Sequence, residues 1–133
     1  MCIPEIMEDA TVKALNSMAN LSPIQEFYSN TNILITGGTG FFGNVLMEKL
    51  LRSCPTISKI YILIRNKRGI ESKARVLEIL DDVLFTRLKE ECPDFRSKVV
   101  GIHGDLTLPN LGLSVQNEKL LIDEVVFVFY YFF

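Results

Sequence analysis

The stretch Ile33–Gly43, with the sequence ILITGGTGFFG, decides how this chain folds. It begins with a short apolar run closed by a threonine, which is typical of a strand buried on both faces of a parallel sheet. Gly37, Gly40 and Gly43 then follow at intervals of three, and Phe42–Arg52 carries apolar residues at helical spacing. The pattern therefore predicts a strand, a glycine turn and a helix in immediate succession.

Each of the three glycines has its own physical task in such a turn. At Gly37 the chain has to turn sharply, at Gly40 the backbone has to approach a pyrophosphate without an intervening Cβ, and at Gly43 helix and strand have to pack closely. The helix then presents amide groups and the positive end of its dipole to the phosphates. The strand before the glycines and the helix after them favour a dinucleotide-binding turn, and the alternative is a purely structural tight turn.

The rest of the chain continues the alternation of strands and helices. The predicted elements are, in order, a strand over Ile60–Ile64, a long helix over Ile70–Glu91, a strand over Val99–Ile102, a helix over Ser114–Ile122 and a strand from Val125 onward. The apolar face predicted for the long helix consists of Val76, Leu77, Leu80, Leu84 and Leu88. This order predicts an α/β fold, a Rossmann-like doubly wound parallel sheet that is incomplete, with about four strands. The fourth strand is expected beside the first, with an unpaired aromatic outer edge.

The first thirty residues are interpreted as a lead-in to this domain. Ser22 and Pro23 resemble the start of a short helix, with Phe27 and Tyr28 as its apolar side. A loose helix could precede it, using the apolar residues Ile6, Val12, Leu15 and Met18. The predicted division is therefore a lead-in over residues 1–30 and the N-terminal part of a NAD(P)-binding Rossmann domain over residues 31–133.

Composition excludes several classes of function. The net charge of −2 is spread along the chain, so nucleic acid is not an expected partner. The cysteines Cys2, Cys54 and Cys92 are odd in number and lack a C-x-x-C arrangement, which argues against disulfides and against a metal site. No apolar run reaches membrane-spanning length and no secretory signal opens the chain, so we expect it to face the cytosol.

Two residues at strand ends are candidates for binding the adenosine half of a dinucleotide. Arg65 lies 22 residues past Gly43, where NAD-binding sites carry Asp or Glu for the ribose hydroxyls. A guanidinium can pair with a 2′-phosphate, so Arg65, with Lys67 and Arg68 behind it, favours NADP(H) over a merely solvated basic loop. Asp105 could accept a hydrogen bond from the adenine amino group, or it could only cap its loop. The single histidine, His103, is expected to be structural.

The stretch from Ser22 to Val128 resembles insect-type, alcohol-forming fatty acyl-CoA reductases, which are extended short-chain dehydrogenase/reductase proteins. The motifs that carry the resemblance are Ile24–Tyr28 (IQEFY), Ile33–Gly43, Glu48–Pro55 (EKLLRSCP), Tyr61–Gly69 (YILIRNKRG), Gly104–Asp105 and Leu111–Ser114 (LGLS). The resemblance implies that the cofactor contacts are Gly37, Gly40, Gly43, Arg65 and Asp105, with Thr39, Phe41 and Phe42 lining the turn. Asn44 departs from the lysine expected at its position.

By this resemblance the protein would be an oxidoreductase of lipid metabolism that uses NADPH to reduce long-chain fatty acyl-CoA to fatty alcohol. The complete protein would work at an intracellular membrane, the endoplasmic reticulum or the peroxisome. The family's catalytic Tyr-x-x-x-Lys pair does not occur here, because none of the four tyrosines has a lysine four residues later. The chain is therefore expected to be an N-terminal fragment with no assigned catalytic residue. The alternatives are a catalytically silent NADP(H)-binding or regulatory module and another extended reductase acting on sugars or steroids.

Overall fold

The computed structural model describes residues 20–66 and 69–130. The helices are α1 (Pro23–Tyr28), α2 (Phe41–Ser53), α3 (Ser72–Leu80), α4 (Thr86–Glu91) and α5 (Val115–Glu124). The strands are β1 (Asn32–Ile35), β2 (Lys59–Ile64), β3 (Val99–His103) and β4 (Val125–Phe129), and 3₁₀ turns cover Val83–Phe85, Phe95–Lys98 and Pro109–Gly112. The loose helix predicted through Ile6 to Met18, and the candidates Lys67 and Arg68, lie outside the described residues.

The four strands form one parallel sheet in the order β3-β2-β1-β4. In the centre of the sheet Ile33 of β1 lies opposite Ile60 of β2 and Phe127 of β4. Because β2 and β4 lie on opposite sides of β1, the strand order reverses at β1. Open α/β sheets bind their ligands at the carboxyl ends of the strands at such a reversal. This topology confirms the predicted Rossmann-like α/β fold and the placement of the fourth strand beside the first.

One face of the sheet, here called the first face, carries most of the buried core. Helices α2, α3 and α4 contribute buried side chains there, together with one face of β1 and β2. The buried residues of the first face are Ile33, Ile35, Met47, Leu50, Leu51, Cys54, Ile57, Ile60, Ile62, Ile64, Val76, Leu80, Phe85, Leu88, Phe95 and Val99. Their aliphatic and aromatic composition accounts for the short, almost uninterrupted apolar runs of the central strands.

The opposite or second face has a smaller core covered by α5. Its buried residues are Leu34, Tyr61, Leu63, Ile102 and Leu121. A cleft of about 350 Å³ opens beside them, lined by Leu34, Asn110, Leu111, Leu113, Glu118, Leu121, Ile122, Val125 and Val128. The apolar side chains of Ile122 and Val128 are 73% and 57% exposed, so this face is only partly closed by the described residues.

The single long helix predicted over Ile70–Glu91 is wrong, because the structure divides this stretch into α3, a 3₁₀ turn and α4. The break falls at Asp81 and Asp82, where the carboxylate of Asp82 accepts a hydrogen bond from Leu84 N at 2.8 Å. Short acidic side chains compete for backbone amides in this way and favour helix caps over helix interiors.

The break also changes the apolar face of this segment. Leu77 is 56% exposed, so its predicted place in the core is wrong, whereas Phe85 in the 3₁₀ turn is fully buried. The ring of Phe85 stacks with that of Phe95 at a centroid separation of 6.3 Å. The turn between the two short helices thus delivers an aromatic side chain that a continuous helix would have placed elsewhere.

The predicted starts of two helices are confirmed by their caps. At α1 the hydroxyl of Ser22 accepts from Gln25 N while Gln25 Oε1 accepts from Ser22 N, a complete capping box. At α5 the hydroxyl of Ser114 accepts from Asn117 N at 3.1 Å, and the helix runs two residues beyond the predicted end at Ile122. α1 packs on the sheet through Phe27, whose ring stacks on Phe127 at 4.7 Å.

Candidate nucleotide-binding site

The glycine turn lies at the carboxyl end of β1, the point where the strand order reverses. Thr36 N donates to Phe129 O at 3.0 Å, which links the ends of β1 and β4 immediately before the turn. Gly37 has a φ of 67°, a left-handed conformation that favours glycine. Gly40 N donates back to Gly37 O at 3.0 Å and closes the turn. The geometry at Gly37 is the sharp turn that the spacing predicts.

Gly43 brings the first turn of α2 against the backbone of the glycine turn. A Cβ at Gly43 would lie 2.3 Å from Gly37 O and 2.9 Å from Gly38 Cα, distances that no side chain tolerates. The strand, the turn and the helix therefore form one tightly packed unit. This close contact is the role that the sequence pattern assigns to the third glycine.

Gly38 has a structural role that the sequence interpretation missed. A Cβ there would lie 2.0 Å from Ile62 Cγ2, so the turn rests directly on the side chain of the neighbouring strand β2. The sequence signal for this role was that Gly38 directly follows another glycine. A close approach to another strand, however, is not visible without the register of β1 against β2.

Gly40 differs from its neighbours because the space around it is open. The nearest atom to a Cβ at Gly40 would be Gly37 O at 3.4 Å, and its φ of −91° suits any residue. Its glycine is therefore not required by packing within the described residues, and it fits a close approach by a ligand. Gly40 is also the N-cap of α2 and offers no side chain to that helix end. A pyrophosphate fits this exposed, positively polarised helix terminus.

Exposed side chains surround the open end of the turn. Phe41 and Phe42 are 73% and 60% exposed, with ring centroids 5.7 Å apart in an edge-to-face arrangement. Thr39 is also exposed. These three residues stand where the resemblance places the lining of a cofactor turn.

Arg65 is the first residue beyond β2, and its side chain is exposed. Its main-chain oxygen accepts a hydrogen bond from Nη1 of Arg75 on α3. The guanidinium of Arg65 also acts electrostatically on the carboxylate of Asp105, which follows β3. The structure thus brings together the two strand-end residues that the sequence singles out, at the same edge of the sheet as the glycine turn.

Asp105 uses one carboxylate oxygen inside its own loop. Oδ1 accepts from Thr107 Oγ1 at 2.7 Å and from Thr107 N at 2.9 Å. These hydrogen bonds, with a smaller contribution from the charges of Arg65 and His103, hold the pKa of Asp105 below its ordinary value. Oδ1 of Asp105 therefore caps the loop, which is one of the two roles considered for this residue. Within the described residues no hydrogen bond reaches Oδ2, so the adenine interpretation is compatible with the same geometry.

The described residues of the site match a known family. A family model described as male sterility protein, a NAD-binding family, matches residues 35–130, which is more than half of the chain. The chain belongs to the male sterility protein family. The matched stretch contains the glycine turn, Arg65 and Asp105, and the NAD-binding family model supports a nicotinamide cofactor.

Several fatty acyl-CoA reductases share high identity with this chain. Fatty acyl-CoA reductase 1 of Mus musculus is 49% identical over 107 residues, which cover 80% of this chain and 21% of the relative. The Homo sapiens protein of the same name is 47% identical over the same shares. Fatty acyl-CoA reductase wat of Drosophila melanogaster is 37% identical over 84% of this chain and 21% of its own length. The chain spans about a fifth of the length of these relatives.

Solved structures show the same fold in reductase domains. The reductase domain of a non-ribosomal peptide synthetase from Mycobacterium tuberculosis matches with a TM-score of 0.59 and 26% identity, over 87% of this chain and 27% of that one. The terminal R domain from the myxalamid PKS-NRPS pathway matches with a TM-score of 0.57 and 28% identity, over 75% and 24%. The α/β fold of this male sterility family member therefore matches that of reductase domains.

Two further observations concern the described residues alone. Over residues 20–66 and 69–130, no group of three or more His, Cys, Asp or Glu side chains could hold a metal ion. No helix in the same ranges has the length and apolar character needed to cross a membrane.

Proposed function

We propose that this chain is the dinucleotide-binding part of a NADPH-dependent oxidoreductase that reduces long-chain fatty acyl-CoA to fatty alcohol. Residues 31–133 would form the N-terminal part of the NAD(P)-binding Rossmann domain, with residues 1–30 leading into it. The names of its relatives, fatty acyl-CoA reductases at 37% to 49% identity, support the substrate and the reaction. The complete protein would act at the cytosolic face of an intracellular membrane, the endoplasmic reticulum or the peroxisome.

The observation that carries the proposal is the contrast between Gly40 and Gly43. Gly43 is glycine because its neighbours leave no room, whereas Gly40 is exposed at the start of α2 with almost nothing near its missing Cβ. An open glycine at an uncapped helix terminus is what a pyrophosphate requires. Thr39, Phe41 and Phe42 would line this turn, and Gly37 would give it its direction.

Arg65 supports NADPH as the form of the cofactor. It occupies the end of β2, where a carboxylate would bind the ribose hydroxyls of NAD and repel a 2′-phosphate. The exposed guanidinium can instead pair with that phosphate through two parallel hydrogen bonds. Lys67 would add a second charge, and Asp105 Oδ2 would accept from the adenine amino group.

The described residues bind and orient the cofactor, and bound NADPH would supply the hydride. A proton donor for the carbonyl has no candidate here, because no tyrosine of the sequence has a lysine four residues later. We therefore expect residues 1–133 alone to bind the nucleotide without reducing fatty acyl-CoA.

The test separates binding from folding with Gly40→Val. The φ of Gly40 permits a branched residue and the space around Gly40 is open, so the unfolding midpoint of the variant should equal that of the wild type. NADPH affinity, measured by nicotinamide fluorescence, should fall by about tenfold or more, since the valine side chain occupies the approach to α2. Gly43→Ala should instead lower both stability and affinity. Unchanged NADPH affinity in Gly40→Val would refute the binding site.

Activity is tested on the protein in its complete natural form. Oxidation of NADPH that depends on long-chain acyl-CoA, with fatty alcohol as the product, would support the reductase. Binding of NADPH without turnover of any acyl-CoA would favour the catalytically silent module.

A further inference from the structure

Arg75 is not among the candidate site residues, yet it donates a hydrogen bond to one of them, Arg65. Its side chain lies on α3, partly buried, and Nη1 donates to the main-chain oxygen of Arg65. The two residues are ten apart in the chain and belong to different elements. Because this hydrogen bond ends on a main-chain oxygen, it restrains the peptide group of Arg65.

The position of Arg75 is set by tight packing of α3 on β3. A Cβ at Gly101 of β3 would lie 2.6 Å from Val76 Cγ2 and 3.0 Å from Ser72 O. The glycine therefore allows the helix to approach the strand closely, and Val76, the residue after Arg75, is buried. Because the helix is anchored on both sides of Arg75, its guanidinium is delivered to the end of β2 by a rigid element.

Arg65 needs such a restraint because it lies beyond the last pairing of its strand. The parallel register of β2 with β3 ends at Ile64, whose main-chain oxygen accepts from Gly104 N at 3.1 Å. The next carbonyl along the chain, that of Arg65, is bonded by Arg75 instead of by a strand. The backbone sets the direction of the Cα–Cβ bond and limits the allowed rotamers, so restraining this peptide group narrows the region that the Arg65 guanidinium can reach.

We propose that Arg75 is a positioning residue for NADPH selectivity, acting through the backbone of Arg65 while adding a second positive charge near the 2′-phosphate. This inference rests on the proposed function, in which Arg65 binds that phosphate. A residue with this role affects NADPH and leaves NADH almost untouched, since NADH has no 2′-phosphate. A residue that only stabilised the fold would weaken both nucleotides alike.

The experiment compares dissociation constants for NADPH and NADH in the complete natural protein by nicotinamide fluorescence. Arg75→Ala should weaken NADPH by about tenfold, as expected for the loss of one charge-assisted restraint, and NADH by less than about twofold. Arg75→Lys keeps the charge and a donor and should recover most of the selectivity. The matched control is Arg87→Ala, which removes an arginine from the neighbouring helix α4, where it pairs with Glu91 at 2.8 Å. It should change neither constant.

Arg65→Ala distinguishes a failure of the positioning role from a failure of the proposed function. Should Arg65→Ala weaken NADPH while Arg75→Ala does not, the positioning role is overturned and the proposed function stands. Should Arg65→Ala leave NADPH binding unchanged, the 2′-phosphate assignment itself fails. Equal weakening of NADPH and NADH by Arg75→Ala would overturn the inference in favour of a structural role.

Discussion

The two faces of the sheet differ in how completely they are closed. On the first face three helices bury a continuous apolar core, and Leu80, Phe85 and Leu88 are fully inaccessible to solvent. On the second face a single helix, α5, covers a smaller core beside an open apolar cleft. Since burial of apolar surface is the main stabilising contribution to folding, most of the stability of the described residues comes from the first face.

This difference also divides the candidate site. The glycine turn leads into α2 and Arg65 leads towards α3, both helices of the first face. Asp105 instead begins the loop to α5, whose residues Leu106 and Leu111 pack on the second face. The groups proposed to bind phosphate therefore rest on the more closely packed side, and the residue proposed to bind adenine rests on the side that is less closed.

The largest expected effect comes from matched leucine truncations on the two faces. Leu88→Ala removes a fully buried side chain of α4 and should lower the free energy of unfolding by about 2–5 kcal/mol, as an enclosed cavity is left behind. Leu121 on α5 borders the cleft, so Leu121→Ala leaves little new enclosed cavity. It should lower the free energy of unfolding by about 1–2 kcal/mol, through the loss of buried apolar surface alone. Chemical denaturation of both variants measures the difference.

Equal costs for the two truncations would break the comparison. They would mean that the second face is as closed as the first in the protein measured, by chain outside the described residues or by a second copy. The exposed Leu77 serves as the control, because Leu77→Ala should change stability little on either account.

An intermediate effect is expected from Tyr61, whose phenol is buried in the core of the second face. Its hydroxyl donates to Glu124 Oε2, and burial followed by this hydrogen bond raises the pKa of Tyr61 from 10 to about 12. A raised folded-state pKa favours the neutral phenol, so its contribution to stability is complete below pH 10 and is lost as the pH rises through about 12.

Tyr61→Phe tests that linkage. The variant should lose about 0.5–1.5 kcal/mol of stability at neutral pH, the usual contribution of one hydrogen bond. The difference between wild type and variant should then shrink between pH 10 and 12, as followed by denaturation at each pH. A difference that stays constant over this range would show that the pKa of Tyr61 is the same in the folded and unfolded states, so that the fold does not raise it.

The smallest effect is expected at the loop that caps the second face. Thr107→Val removes the hydroxyl that donates to Asp105 Oδ1, so the pKa of Asp105 should rise towards its ordinary value. Because the pKa is lowered in the fold, the stability associated with Asp105 is present above its unfolded pKa and declines as the pH falls through the folded one. NMR titration of the carboxyl measures the shift.

Thr86→Val is the control for this change. Thr86 Oγ1 donates to the main-chain oxygen of Val83 on the other side of the molecule, so the pKa of Asp105 should not respond. If Thr107→Val also leaves that pKa in place, the Thr107 hydroxyl is not what lowers the pKa of Asp105.

Local sequence predicts the elements whose signals are local. Ser22 and Pro23 predict the start of α1, and the helix predicted from Ser114 begins where the structure has it, because such signals lie within one turn of the helix they begin. The apolar runs of β1 and β2 predict buried parallel strands, since each strand is covered on both faces. The glycine spacing predicts the sharp turn at Gly37 for the same reason, and the structure has a φ of 67° there.

Signals that depend on distant partners escape such a prediction. The long helix is interrupted because Asp82 caps a new turn and Phe85 finds a place in the core, a competition that the periodicity of Val76 to Leu88 cannot show. Gly38 is close to Ile62 only because β1 and β2 lie in this register. Arg75 reaches Arg65 only because Gly101 admits α3 to the surface of β3.

The sequence by itself determined the class of the fold, the position of the glycine turn and the choice of Arg65 and Asp105 as candidates. These follow from spacing and from which residue types sit at the ends of apolar runs. Only the tertiary structure decided that Gly38 rests on Ile62 and that Arg75 donates to the backbone of Arg65. The physical reason is that space and hydrogen-bond partners at a sheet edge are supplied by elements far apart in the chain.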